Sequence, residues 1–132
     1  TDGIGADMFE ELKFAYFKNR DAGGSFWPPA YLSALSRGNR ILERYFSDQF
    51  GTLAPGYKAD LVVSDYQSPT PLTKANLAGH FAFGLGSSSV KTVIINGRTV
   101  LENREFPFAV HQIYQDAAKH ANQVWKRMNS IK

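Results

Sequence analysis

The sequence predicts an α+β fold, and three observations carry that prediction. Apolar residues recur at helical spacing near both ends of the chain. A bulky, β-branched run stands in the middle. Two strand-like runs flank an Asn-Gly pair further on.

The first helix is expected from Asp7 to Asn19. Asp7 is placed to be its N-cap, and Glu10 stands three residues later as in a capping box. Phe9, Leu12, Ala15 and Tyr16 fall on one side. Asp21-Ala-Gly-Gly-Ser ends the helix, and Phe26-Trp27-Pro28-Pro29 opens the next, where proline is tolerated in the first turn. Tyr31, Leu32 and Leu35, then Ile41, Leu42, Tyr45 and Phe46, predict two short helices around Arg37-Gly38-Asn39.

Pro55-Gly56 marks a turn, and a strand follows from Asp60 to Ser64. Ser68-Pro-Thr-Pro-Leu is a loop, with a short helix expected within Lys74 to Phe83. Val90 to Asn103 reads as a hairpin about Asn96-Gly97, because a two-residue type I′ turn needs positive φ at both central positions. The last helix runs from Val110 to Met128. Its stripe is Val110, Ile113, Ala117, Ala121, Val124 and Met128, with Lys126 and Arg127 suited to the negative end of the helix dipole.

Composition narrows the function. The 132 residues suffice for one domain with a modest core. Ten Phe, six Tyr and two Trp are a heavy aromatic load, and those left outside a small core must face a partner. The absence of Cys excludes disulfides and thiolate metal sites. The net charge of +3 is carried by scattered Lys and Arg, which argues against nucleic acid as a partner. The apolar runs fall short of the ~20 residues that a membrane helix needs.

Single residues offer little complete chemistry. Asp2-Gly3 reads either as a turn or as a carboxylate at a strand end, able to hold a hydrolytic metal or move a proton. One carboxylate does not make a metal site, since catalytic zinc takes three protein ligands plus water. The histidines are His80, His111 and His120, with no His-x-His or His-Glu-x-x-His pattern. His111 and His120 stand about 13 Å apart along a helix at 1.5 Å per residue, too far to share an ion. His80 is expected to bond a nearby carbonyl. Gly84-Leu-Gly-Ser87-Ser88-Ser89 lacks the lysine and spacing of a phosphate loop and reads as a flexible connection into the hairpin. Glu10 and Glu11 are adjacent on a helix and point about 100° apart, so they do not converge on one substrate.

The order of motifs then matters. Thr1-Asp2-Gly3 is followed by Asp7-Met-Phe-Glu-Glu-Leu, then Gly51-Thr-Leu-Ala-Pro55-Gly56-Tyr-Lys58-Ala59-Asp60-Leu-Val-Val, and Val93-Ile-Ile-Asn96-Gly97-Arg-Thr-Val-Leu. This series resembles the C-terminal third of the amidohydrolase superfamily, in its cytosine-deaminase-like, chlorohydrolase and guanine-deaminase branch. Asn76-Leu-Ala-Gly-His-Phe-Ala-Phe-Gly and Asn103-Arg-Glu-Phe-Pro place it nearest the aminohydrolases of that branch.

The resemblance implies the C-terminal piece of a metal-dependent (β/α)8 barrel enzyme. Residues 1–50 would be the end of barrel strand eight and the helices after it. Residues 51–108 would be the C-terminal part of a small composite β-sandwich, and 109–132 a terminal amphipathic helix. Asp2 would match the family's metal-binding and catalytic aspartate. The histidines that complete the site have no counterpart here. The expectation is a fragment, made by truncation or proteolysis, of a cytoplasmic hydrolase of non-peptide C–N bonds, an aminohydrolase or chlorohydrolase of a nitrogen heterocycle. Its divalent metal would be zinc or iron, with no metal and no activity expected in this chain alone. Its partners would be the missing N-terminal barrel portion, a small-molecule substrate and a second copy in a homo-oligomer, without nucleic acid or membrane. The alternative is a non-catalytic association module that pairs through the surface the barrel would cover, with Phe9, Phe14, Phe17, Trp27, Phe46 and Trp125 on that surface.

Overall fold

The computed structural model describes residues 5–131. Four α-helices and three strands follow in the order α1 (Met8–Asp21), α2 (Pro28–Phe46), β1 (Leu61–Ser64), α3 (Leu77–Phe83), β2 (Val90–Ile95), β3 (Arg98–Leu101) and α4 (Val110–Ser130). The fold is α+β, as expected.

α1 begins where its cap dictates. The Asp7 carboxylate accepts from the backbone amides of Phe9 at 2.9 Å and Glu10 at 3.3 Å, satisfying two of the donors that a helix start leaves open. Glu10 does not complete the box by reaching back. It pairs forward with Lys13 at 3.2 Å. Leu12 and Tyr16 are buried, Phe9 is half-buried, and Ala15 faces solvent.

α2 corrects one expectation. The two short helices expected around Arg37-Gly38-Asn39 are one continuous helix. A lone glycine inside a helix costs only about 1 kcal/mol, which its neighbours offset. The stop comes later, at Ser47, whose φ of 53° lies in the left-handed region.

The sheet is antiparallel in the order β1-β2-β3, with Leu61 opposite Ile94 and Val62 opposite Val93. Ile95 faces Arg98 across the predicted turn, where Asn96 and Gly97 have φ of 49° and 74°. Asp60 fixes that turn from outside, its carboxylate accepting from the Asn96 amide at 2.6 Å.

α1, α2 and α3 pack on one another. Tyr16 stands edge-on to Phe83, Phe17 and Tyr31, with ring centroids at 5.2, 5.5 and 6.1 Å. Among the described residues the buried apolar side chains are Leu12, Tyr16, Ala82, Leu85 and Pro28, a small core for such an aromatic chain. The surplus is outside. Phe14, Phe17, Trp27, Phe46 and Trp125 are all more than half exposed, whereas Phe9 lies 6.1 Å from the Phe81 ring. α4 carries its predicted stripe but buries no residue. No helix among the described residues is long and apolar enough to cross a membrane.

Candidate functional site

Asp2 lies outside the described residues, which begin at Gly5. Residues 5–7 run into the first turn of α1, where Asp7 is the cap. The Ser87 hydroxyl, on a short 3₁₀ turn between α3 and β2, is the main influence holding the Asp7 carboxyl below the usual range. Burial acts against it, and the Phe9 and Glu10 amides and the Lys13 charge add to it. The segment expected to be a flexible connection is therefore a structured turn. Ser89 Oγ donates to the Gly86 carbonyl at 2.7 Å, and Ser64 Oγ lies 3.0 Å from Ser89 Oγ.

His80, on α3, is the most engaged histidine. The expectation of a carbonyl partner is replaced by hydroxyls. Tyr66 Oη lies 3.0 Å from Nδ1, Thr70 Oγ1 lies 3.2 Å from Nε2, and Ser68 Oγ approaches Nε2 at 3.5 Å. Both ring nitrogens are thereby satisfied, so the imidazole ties the 66–70 loop to α3 and has no ring nitrogen open for a substrate proton. Gly84 is required beside it, because a Cβ there would fall on the Tyr66 hydroxyl. Tyr66 and Thr70 escaped sequence reasoning. They stand 14 and 10 residues from His80 in the chain, and no local period reveals such a pairing.

His111 bonds Gln115 one turn along α4 at 2.8 Å. His120 is exposed on the same helix. Glu10 is taken by Lys13. Among the described residues no three His, Asp or Glu side chains come together as metal ligands. Asp65 is instead bound to Arg104, which donates to both carboxylate oxygens at 2.7 Å and lowers the Asp65 pKa.

A cavity of about 500 Å³ opens between α1, α3 and β1. Met8, Phe9, Leu12, Val62, Phe81 and Leu85 supply most of its wall, with Ser64 and Tyr66 as the polar exceptions. It is shaped for apolar groups, and among the described residues no carboxylate or imidazole lines it.

Comparison with known proteins agrees with the order of motifs. The amidohydrolase family model matches residues 1–100. The 5-methylthioadenosine/S-adenosylhomocysteine deaminase of Dictyoglomus thermophilum is 33% identical over 133 residues, which cover 96% of this chain and 31% of that protein. The enzyme of the same name from Thermoanaerobacter pseudethanolicus is 31% identical over 134 residues, with the same two coverages. The 5'-deoxyadenosine deaminase of Methanoregula boonei is 30% identical over 139 residues, covering 96% of this chain and 29% of that protein. The chain thus spans between a quarter and a third of the length of the curated relatives it matches. With a family match over residues 1–100 and similarity to these deaminases along nearly all of its length, the chain belongs to the amidohydrolase family.

Proposed function

We propose that this chain is the C-terminal part of a deaminating amidohydrolase and that Asp2 is its catalytic carboxylate. The observation that carries the reading is the similarity over 96% of the chain to deaminases about three times its length, together with the family match that includes Thr1-Asp2-Gly3. The relatives' substrates are named as adenosine derivatives, which share an amine on an electron-poor ring carbon. An adenosine-like nucleoside is therefore the favoured substrate class, within the broader expectation of a nitrogen heterocycle.

In this reading residues 1–50 end the barrel and supply the helices after it, 51–108 contribute to a composite sandwich, and 109–132 form the closing helix. The exposed Phe14, Phe17, Phe46 and Trp125 belong to the surface that the rest of the enzyme covers. The same rings support the second reading, self-association of this chain.

Asp2 is one carboxylate, and the described residues bring no three ligand side chains together. A divalent ion, zinc or iron, would need Asp2 together with histidines outside this sequence. When bound it supplies Lewis-acid activation of water. Asp2 takes the proton of the attacking water as the C–O bond forms, then delivers it to the amine as the C–N bond breaks and ammonia leaves. Ammonia release from 5'-methylthioadenosine by the intact enzyme tests the substrate class. One ammonia per nucleoside consumed is expected. Chloride release from a chlorinated triazine with no ammonia from the nucleoside would overturn the deaminase reading.

A further inference from the structure

We propose that Asn96-Gly97 is a latent deamidation site and that the Ala59-Asp60 segment ahead of β1 holds it shut. Asn96 is the only asparagine of the sequence followed by glycine. The chemistry needs no reagent but water. The Gly97 backbone nitrogen gives up its proton and attacks the side-chain carbonyl carbon of Asn96. The new C–N bond closes a succinimide ring, the bond to the side-chain nitrogen breaks, and that nitrogen takes up a proton and leaves as ammonia. Water then opens the ring at either carbonyl, leaving aspartate or isoaspartate.

The turn meets one requirement of this reaction and withholds the other. Asn96 and Gly97 are exposed, and a Cβ built on Gly97 would meet nothing within 4 Å, so no atom crowds the attacking nitrogen from that side. The Gly97 N–H, however, is taken: it donates to the Ala59 carbonyl at 3.0 Å. One residue back, the Asn96 N–H donates to the Asp60 carboxylate at 2.6 Å. Two adjacent residues thus clasp two adjacent amides, and the attack waits on their release. All four residues are exposed, so the clasp opens locally while the sheet stays paired. Asn103-Arg104 is the contrast within the same sheet. It is also a turn with positive φ at both positions, 50° and 68°. Its attacking nitrogen belongs to an arginine whose side chain is bound to Asp65 at 2.7 Å and whose amide donates to the Lys91 carbonyl at 2.9 Å. Conversion of Asn96 matters to the fold. Isoaspartate lengthens the backbone of the turn that sets Ile95 opposite Arg98, and aspartate adds a negative charge to the residue that Asp60 holds.

The test is peptide mapping by mass spectrometry of the intact enzyme held at mildly alkaline pH, native and in urea, with Asp60→Ala and Asp60→Asn beside wild type. Amide-to-acid conversion at Asn96 is read against that at Asn103. Native wild type is expected to convert at least about tenfold more slowly than the urea-unfolded chain. Asp60→Ala is expected to convert about tenfold faster than native wild type, in line with the loss of a hydrogen bond to a charged acceptor. Asp60→Asn keeps a weaker, neutral acceptor and is expected to convert about threefold faster, which decides the matter if Asp60→Ala does not fold. An Asn96 that stays an amide in urea, a native wild type as fast as the unfolded chain, or a wild-type rate in either folded variant overturns the inference. Equal acceleration at Asn103 in a folded Asp60 variant overturns it as well.

Discussion

α1 and α4 are both amphipathic helices, and they end in opposite environments. α1 has the less sharply divided sequence, yet it buries Leu12 and Tyr16 between α2, α3 and the cavity. α4 has the cleaner apolar stripe over 21 residues and buries nothing, with Val124 half exposed and Trp125 and Met128 at 61%. An apolar stripe shows that a helix face needs a partner, but it does not supply one. The comparison teaches that, among the described residues, α1 meets packing partners and α4 meets none that bury a side chain.

The contrast can be broken by mutation, and the largest effect is expected in the core around α1. Leu12→Ala removes a side chain that is 7% exposed and should destabilise the chain by about 2–4 kcal/mol in urea unfolding. A cost below ~1 kcal/mol would show that α1 is no better packed than α4. Gly97→Ala in the hairpin turn should cost about 1–2 kcal/mol, because φ there is 74° and an L-residue pays for that region. Asp7→Ala removes the α1 cap and should cost about 1 kcal/mol, and Asp7→Asn only a few tenths.

Acid should act on the same side of the comparison. The Asp7 pKa is lowered in the fold, so the unfolded chain binds the proton more readily. The stability that Asp7 contributes is therefore present above about pH 4 and is lost as the pH falls through the folded pKa. Asp65, lowered by Arg104, adds a loss of the same sign. The acid loss should shrink in Asp7→Asn, read from urea midpoints between pH 6 and pH 3. The smallest effect is expected on α4. Val124→Ala should change the stability of the chain by less than about 0.5 kcal/mol. In the intact enzyme the same substitution should cost more than 1 kcal/mol, because the stripe is then covered.

Legibility in the sequence followed the range of the interactions. The Asn96-Gly97 turn, the Asp7 cap and the stripe of α4 depend on neighbours within a few residues, and each stands where its local pattern puts it. Gly38 misled because a glycine inside a helix is a modest cost and not a break, and the true stop at Ser47 carries no strong local signal. The partners of His80 and of Asp7 were hidden for another reason. Tyr66 and Thr70 reach His80, and Ser87 acts on the Asp7 pKa, only after the chain has folded back. The proposed role of Asp2 rests on the order of motifs and not on its surroundings, since a lone Asp-Gly is also an ordinary turn.

The proposed function turns on Asp2 as the carboxylate that carries the chemistry. The most direct measurement is kcat for ammonia release from 5'-methylthioadenosine by the intact enzyme, with and without Asp2→Asn, alongside its melting temperature. The account predicts a loss of at least about 1,000-fold in kcat with a melting temperature close to wild type. An Asp2→Asn enzyme that releases ammonia at the wild-type rate would contradict it.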